Sequence, residues 1–507
     1  MSERTERSVK NISVSLFTQL LNILFQFVLR TIFIMVLSKE YLGVNGLFSN
    51  ILSCLSFAEL GFGAAITFSL YKPLANNDYK AIAGIMNYFK KVYYCVACFV
   101  LIVGTLLTPF LPYLINGTPS ISNIYLIYIL FVINSSLSYF GIYKSALVIA
   151  DQRKDIVDKN NIVFKLLQLF LQGLILLTTH NYNLYLLIQI IMTVLCNFSI
   201  SIIVDRRYNY LKAMGNEVIS DNVRNEIKNN VRATLLHKIG AVVIFSTDNI
   251  LLSKFFGLII VGLYSNYYLI INTLSILTGQ IQSSIVASVG NLGVTESPEK
   301  KLLVFQRYMF ANFWIFSFTS SCLISLFNPF VEIWLGKDFL LPYSVVSILV
   351  FNYFITGLRS ASATFNNAFG LFWHTRQLPI IESFLNIVLS IIFAYSFGYI
   401  GIFIGTSVSS LLTGIWYEPY VLYKMAFNVS SKKYYLRLVE YSSSAFICVL
   451  ISLLIINCVE ISGIAGFALK FIIASIIPNL ILFLIYYKSK RFIYYKNLFV
   501  NALVKKQ

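Results

Sequence analysis

Fourteen stretches of this 507-residue chain stay apolar for 18 residues or more between charges or turn-forming clusters. They run roughly over 11–37, 42–70, 88–107, 121–149, 162–179, 184–204, 233–256, 260–292, 302–327, 343–371, 379–397, 400–423, 436–458 and 463–487. About 20 apolar residues carry a helix across a bilayer, where every backbone N–H and C=O must find its partner inside the segment. The apolar residues are continuous rather than alternating. The expected class is therefore an all-α integral membrane protein with fourteen transmembrane helices, not a barrel. Composition agrees: 58% of residues are hydrophobic and 12% charged, about half the charged share of a soluble protein. That excludes a soluble enzyme, and equally a large soluble domain held by one anchor. The first run is too long for a cleaved leader, and no small-residue cleavage site follows it.

Charge orients the helices. The chain carries 39 Lys and Arg against 21 Asp and Glu, a net charge of +18. With fourteen spans, 30 of the 39 bases fall in the termini, loops and adjoining helix ends of one side, and Lys39 and Lys337 alone in the loops opposite. By the positive-inside rule both termini are expected in the cytoplasm, and the excess charge needs no nucleic-acid partner. All seven cysteines fall inside expected spans. Cys95 and Cys98 share only the i, i+3 face of one helix, which argues for neither a metal nor a redox site. Phosphate loops, zinc spacings and a Ser/His/Asp arrangement are missing, so no cofactor is expected.

Three ordered matches mark an internal repeat. Leu37-Ser38-Lys39 recurs as Leu252-Ser253-Lys254, and Gly46-Leu47-Phe48-Ser49-Asn50 as Gly262-Leu263-Tyr264-Ser265-Asn266. Lys144-Ser145-Ala146 recurs as Arg359-Ser360-Ala361, all near one offset of 215 residues. Six spans separate each pair, so the two copies share one orientation, as in transporters built from parallel repeats. The expected organisation is an N-terminal set of six helices (1–204), a cytoplasmic linker (205–232), a second set of six (233–424), and a final helix pair with a basic tail (425–507). The linker mixes acids with its bases and is expected to lie as a surface helix on anionic headgroups.

A few charges stand at membrane depth, where they are costly and usually face a bundle interior or a wet cavity. Lys165, Lys238, Lys254 and Lys470 lie close enough to a helix end to snorkel. Arg30, deep in the first run, and Arg359, near the middle of the tenth, do not. Lys144 joins them as the repeat partner of Arg359. A cavity lined by these bases suits an anion, phosphate above all, because guanidinium forms paired hydrogen bonds to it. The acids at depth are Glu59, Asp248 and Glu382. Each fits either an ion pair that fixes helix register or a site that couples H+ or Na+ to transport. Tyr139, Tyr264, Tyr267, Tyr268 and Tyr353 are candidates to stack on sugar rings.

The run Leu236-His237-Lys238-Ile239-Gly240, Ser246-Thr247-Asp248-Asn249-Ile250-Leu251-Leu252-Ser253-Lys254 and Val261-Gly262-Leu263-Tyr264-Ser265-Asn266-Tyr267-Tyr268 resembles bacterial polysaccharide flippases of the Wzx type. So do Glu59-Leu60-Gly61 with Tyr71-Lys72-Pro73-Leu74, and Thr356-Gly357-Leu358-Arg359 with Ala368-Phe369-Gly370-Leu371-Phe372. Pro379-Ile380-Ile381-Glu382-Ser383 with Asn386, and Gly401-Ile402-Phe403-Ile404-Gly405-Thr406, fit the same pattern. The resemblance spans nearly the whole chain and places it in the multidrug/oligosaccharidyl-lipid/polysaccharide exporter superfamily. It implies two pseudo-symmetric, MATE-like six-helix lobes around a central cavity, and a bacterial plasma membrane. It implies a flippase that moves undecaprenyl-pyrophosphate-linked oligosaccharide to the outer leaflet by alternating access, without covalent chemistry. Arg30, Arg359 and Lys144 would hold the pyrophosphate; Asp248, Glu59 and Glu382 would couple an ion or pair with those bases. Membrane lipids and glycan-assembly proteins are the expected partners. The alternatives are a lipid II flippase, a multidrug–cation antiporter, and a membrane polymerase or glycosyltransferase.

Overall fold

A computed structural model describes residues 3–56, 62–117, 120–215, 217–219, 223–225, 227, 231, 246–459, 461 and 463–504. The described residues are helical, with no strand. Among the described residues, twelve helices are long and apolar enough to cross a membrane, and each coincides with one of the fourteen expected runs. The chain is a multi-pass membrane protein. The other two expected runs, 42–70 and 233–256, include residues 57–61 and 232–245, which lie outside the described set. Within the first of them stand two shorter helices, of 17 and 14 residues.

The chain divides into two compact units, Met1–Ser265 and Asn266–Gln507. Unit 1 holds α1 (Glu3–Val36), α2 (Lys39–Leu55), α3 (Phe62–Ala75), α4 (Tyr79–Leu106), α5 (Ile124–Ser138), α6 (Ile142–Ala150), α7 (Lys154–Thr179) and α8 (Tyr182–Arg207). It also holds α9 (246–256) and the start of α10 (Leu258–Thr295). Asp78 caps α4 by accepting from the Ala81 amide, and Asn181 caps α8 at the amides of Asn183 and Leu184; each satisfies donors that a helix start leaves free. One hydrophobic core of the unit packs α3, α4 and α6 around Leu70, Phe89, Tyr93 and Leu147.

The linker packs against the protein. Its described residues dock on unit 1. Ile227 and Val231 are buried in that core, with Ile219 and Val223 packed against it. The Asn87 side-chain amide donates to the carbonyls of Met214 and Glu217, at 3.3 and 3.1 Å, and the Val218–Ile219 backbone passes over Gly84. The reason is legible afterwards: residues 219, 223, 227 and 231 are apolar at every fourth place, a helical stripe set among charges.

Unit 2 continues α10 and adds α11 (Pro298–Leu335), α12 (Tyr343–Ala368), α13 (Leu378–Phe397), α14 (Tyr399–Leu412) and α15 (Gly414–Leu422). A π turn (Tyr423–Phe427) leads to α16 (Lys432–Asn457), α17 (Gly463–Tyr486) and α18 (Lys490–Val504). The final pair is built into this unit. Phe313 of α11 stacks on Tyr441 of α16 with ring centroids 4.1 Å apart. The Trp314 indole donates to Asn479 of α17 at 2.8 Å, and Arg491 of α18 donates to the Tyr441 hydroxyl.

Glycine sets the spacing of α13 and α14. A Cβ on Gly401 would fall on the Phe393 carbonyl, and one on Gly405 would fall on the Ser390 backbone. The Ser390 hydroxyl donates to the Ile402 carbonyl at 3.0 Å and the Asn386 amide to the Thr406 hydroxyl at 2.9 Å. In a bilayer, where apolar surface alone does not drive helices together, small residues and hydrogen bonds of this kind do.

Candidate functional site

Unit 2 carries a cluster of three charges. Arg359, on α12, donates through Nη1 to Oε1 of Glu382 on α13 at 2.6 Å, and through Nη2 to Oε1 of Glu418 on α15 at 2.8 Å. Nη1 also lies 3.4 Å from the Ser410 hydroxyl of α14. The side chains are 19%, 4% and 10% exposed respectively. Local structure makes the arrangement possible. Gly414, at the start of α15, leaves the volume the guanidinium occupies: a Cβ there would overlap it. Asn366, on α12, donates to the Glu418 carbonyl at 3.0 Å and fixes the turn that carries the acid. Pro379 opens α13, and Glu382 stands one turn inside it.

Two carboxylates on one guanidinium leave a charge of −1 when both are ionised, and zero when the pair holds one proton. Glu382 Oε2 is buried and has no hydrogen-bond partner among the described residues. The sequence reading located Arg359 and Glu382 but missed Glu418. The signal was present, an acid inside the apolar run 400–423, followed by Pro419.

Unit 1 holds a simpler pair at a matching place. Lys144, on α6, donates to Asp205 of α8 at 2.6 Å and to the Ser201 hydroxyl. In each unit the repeat-related base meets an acid two spans further on, 61 residues away for Lys144 and 59 for Arg359. Asp205, the first residue of the expected linker, stands in the last turn of α8. Shifted by 215 residues, the position matching Glu382 is Leu167, so the third charge is peculiar to unit 2.

Arg30 sits elsewhere in unit 1. Its Nη2 donates to the Ser265 hydroxyl at the start of α10, and that hydroxyl donates to the Gly262 carbonyl at 2.7 Å. Tyr182 and Tyr185 are among its electrostatic neighbours. Their rings stack at 5.5 Å, and both meet Phe33 edge-on. Asp248 is buried in α9 beside buried Ser246 and Asn249. Glu59 lies outside the described residues. Of the tyrosines proposed to meet sugar, Tyr139, Tyr264, Tyr267 and Tyr353 are buried. Tyr267 bonds Asn328 and the Leu341 amide, and Tyr353 bonds Thr319. No group of three or more His, Cys, Asp and Glu among the described residues is arranged to hold a metal ion.

No protein-family model matches the chain, and no curated protein matches it in sequence. Solved structures do match it in fold. The lipid II flippase MurJ in an inward closed conformation superposes with a TM-score of 0.64 at 15% identity, covering 94% of this chain and 99% of that one. An inward-facing multidrug resistance MATE family transporter of the MOP superfamily gives 0.61 at 15% identity, over 80% and 96%. A Vibrio cholerae MATE transporter gives 0.54 at 13% identity, over 84% and 98%. The chain has the helical fold that these membrane transporters share.

Proposed function

We propose that the protein is a flippase that carries an undecaprenyl-pyrophosphate-linked oligosaccharide across a bacterial plasma membrane by alternating access. The observation that carries this reading is Arg30, a guanidinium held at membrane depth by the Ser265 hydroxyl, in a fold that transporters share. Fourteen spans, cytoplasmic termini and two six-helix lobes belong to this reading, with the final pair flanking the lipid tail and glycan-assembly proteins meeting the cytoplasmic loops.

The roles of the bases divide. Arg30 contacts the pyrophosphate. Arg359 is already engaged by Glu382 and Glu418, so an anion can take their place only when they lose charge. Protonation of both acids frees the guanidinium for pyrophosphate, and loss of those protons returns Arg359 to its carboxylates and expels the anion. The exchange couples H+ to the substrate with no further residue. Lys144, paired with Asp205, holds α6 against α8. Asp248 and Glu59 remain candidates for the same coupling in unit 1.

Replacing Arg30 with Ala is expected to lower surface polysaccharide at least tenfold at unchanged protein level, with the lipid-linked intermediate accumulating inside; normal export would overturn the phosphate role. A second reading, a lipid II flippase, is favoured by the MurJ fold extending over 94% of the chain. Complementation of a strain depleted of its own lipid II flippase separates the two.

A further inference from the structure

Where α12 gives way to α13, unit 2 has a second group of bases outside the Arg359 cluster. His374, Arg376, Gln377, Tyr417, Tyr420 and Lys424 line a cavity of about 300 Å3, with no carboxylate among its lining residues. The size is at the lower end of ligand pockets. Its donors are held in place. Arg376 donates to the Trp373 carbonyl at 2.9 Å and lies 3.9 Å over the Trp373 ring, so its remaining N–H groups are oriented by stacking. The Lys424 ammonium stands 3.3 Å from the Tyr420 hydroxyl, above that ring. The Tyr417 hydroxyl donates to the His374 carbonyl at 3.3 Å, tying the loop to α15. Gln377 is the N-cap of α13, so the cavity also opens on the positive end of a 20-residue helix.

The rim decides what kind of anion fits. Trp373, Tyr420 and Met425 are 58%, 45% and 45% exposed, at the ends of membrane-spanning helices. Exposed Trp and Tyr at such a place mark the headgroup level. A second cavity, shared through Tyr420 and Lys424, extends the space toward Asn428 and Ser431. An anion held here with its ester groups toward the aromatic rim is part of an amphiphile.

We propose that this pocket binds the phosphate of an anionic membrane lipid, held by Arg376 and Lys424 with His374 as a third donor. Charge-assisted contacts to phosphate oxygens supply the affinity, and local basic charge supplies the attraction to an anionic leaflet. Glu382 and Glu418 stand on the same two helices that frame the pocket, so an occupied pocket braces the helices of the charge cluster. The proposal stands independently of what the protein transports.

The test uses full-length protein in phosphatidylcholine nanodiscs doped with phosphatidylglycerol, with retained phosphatidylglycerol counted by native mass spectrometry. The Arg376→Gln/Lys424→Gln double variant is expected to retain at least tenfold less, at an unchanged thermal midpoint. Lys488→Gln/Lys490→Gln, which removes two exposed bases from elsewhere in unit 2, is expected to retain as much as the unaltered chain. Equal retention by the first variant overturns the site, as does an equal loss in the second. Displacement of the lipid by millimolar inorganic phosphate would assign the pocket to a soluble anion and overturn the lipid.

Discussion

Arg359 is the residue on which unit 2 turns, because three helices present a charge to one point. Removing one member of a buried ion cluster leaves the others uncompensated, at a cost of about 3–5 kcal/mol, whereas removing all the charges together is often neutral. Arg359→Ala should therefore lower the thermal midpoint sharply in detergent. Arg359→Met/Glu382→Gln/Glu418→Gln should recover most of that loss yet fail to transport. Recovery of transport along with stability would make the cluster purely structural. The sequence showed that Arg359 and Glu382 were out of place in apolar runs. It did not show that they were partners, nor that Glu418 completed them. A carboxylate inside an apolar run is visible on inspection; its partner depends on how two helices are rotated about their axes, which no single run encodes. Arg30 is the opposite case. Its place far inside an apolar run was legible, and its Ser265 contact required the fold to bring α1 to the start of α10.

At the scale of elements, the motif Gly401-Ile402-Phe403-Ile404-Gly405 acquires a physical meaning. Both glycines face α13 where its backbone comes closest, and a larger residue must push the two helices apart. Gly405→Val is expected to abolish most monodisperse protein on size-exclusion chromatography in detergent, since overpacking costs about 1–3 kcal/mol or more. Gly279→Ala, with open space around it, should leave the yield unchanged. If both variants behave alike, close packing of α13 on α14 is not what those glycines provide. The linker teaches the converse lesson. Its mixed charge suggests a surface segment, and the stripe through Ile219, Val223, Ile227 and Val231 sets which face packs on the protein. Burial of Ile227 and Val231 in the unit 1 core follows because four apolar side chains at helical spacing outweigh exposed charges that stay solvated whichever way the segment lies.

At the scale of the molecule, charge and hydropathy act on whole segments. Thirty bases in alternate loops and the helix ends beside them favour one orientation for every helix at once. A green fluorescent protein fused after Gln507 should fluoresce, and alkaline phosphatase fused at the same place should stay inactive. The reverse pattern would place the C-terminus outside and overturn that orientation. The final helix pair looks appended in sequence because it lies beyond the repeat. In the fold it is part of unit 2, joined to α11 through the Phe313–Tyr441 stack and the Trp314–Asn479 hydrogen bond.

The sequence by itself determined that the chain is helical and that it crosses a membrane many times. Each of those follows from one segment meeting a bilayer, and the free energy of that encounter is nearly a sum over the residues of the segment. Only the tertiary structure decided which charges meet: Lys144 with Asp205, Arg30 with Ser265, and Arg359 with two carboxylates 23 and 59 residues away. Those pairings depend on the azimuth, tilt and crossing of packed helices, which small residues and hydrogen bonds between segments set and a hydropathy pattern does not.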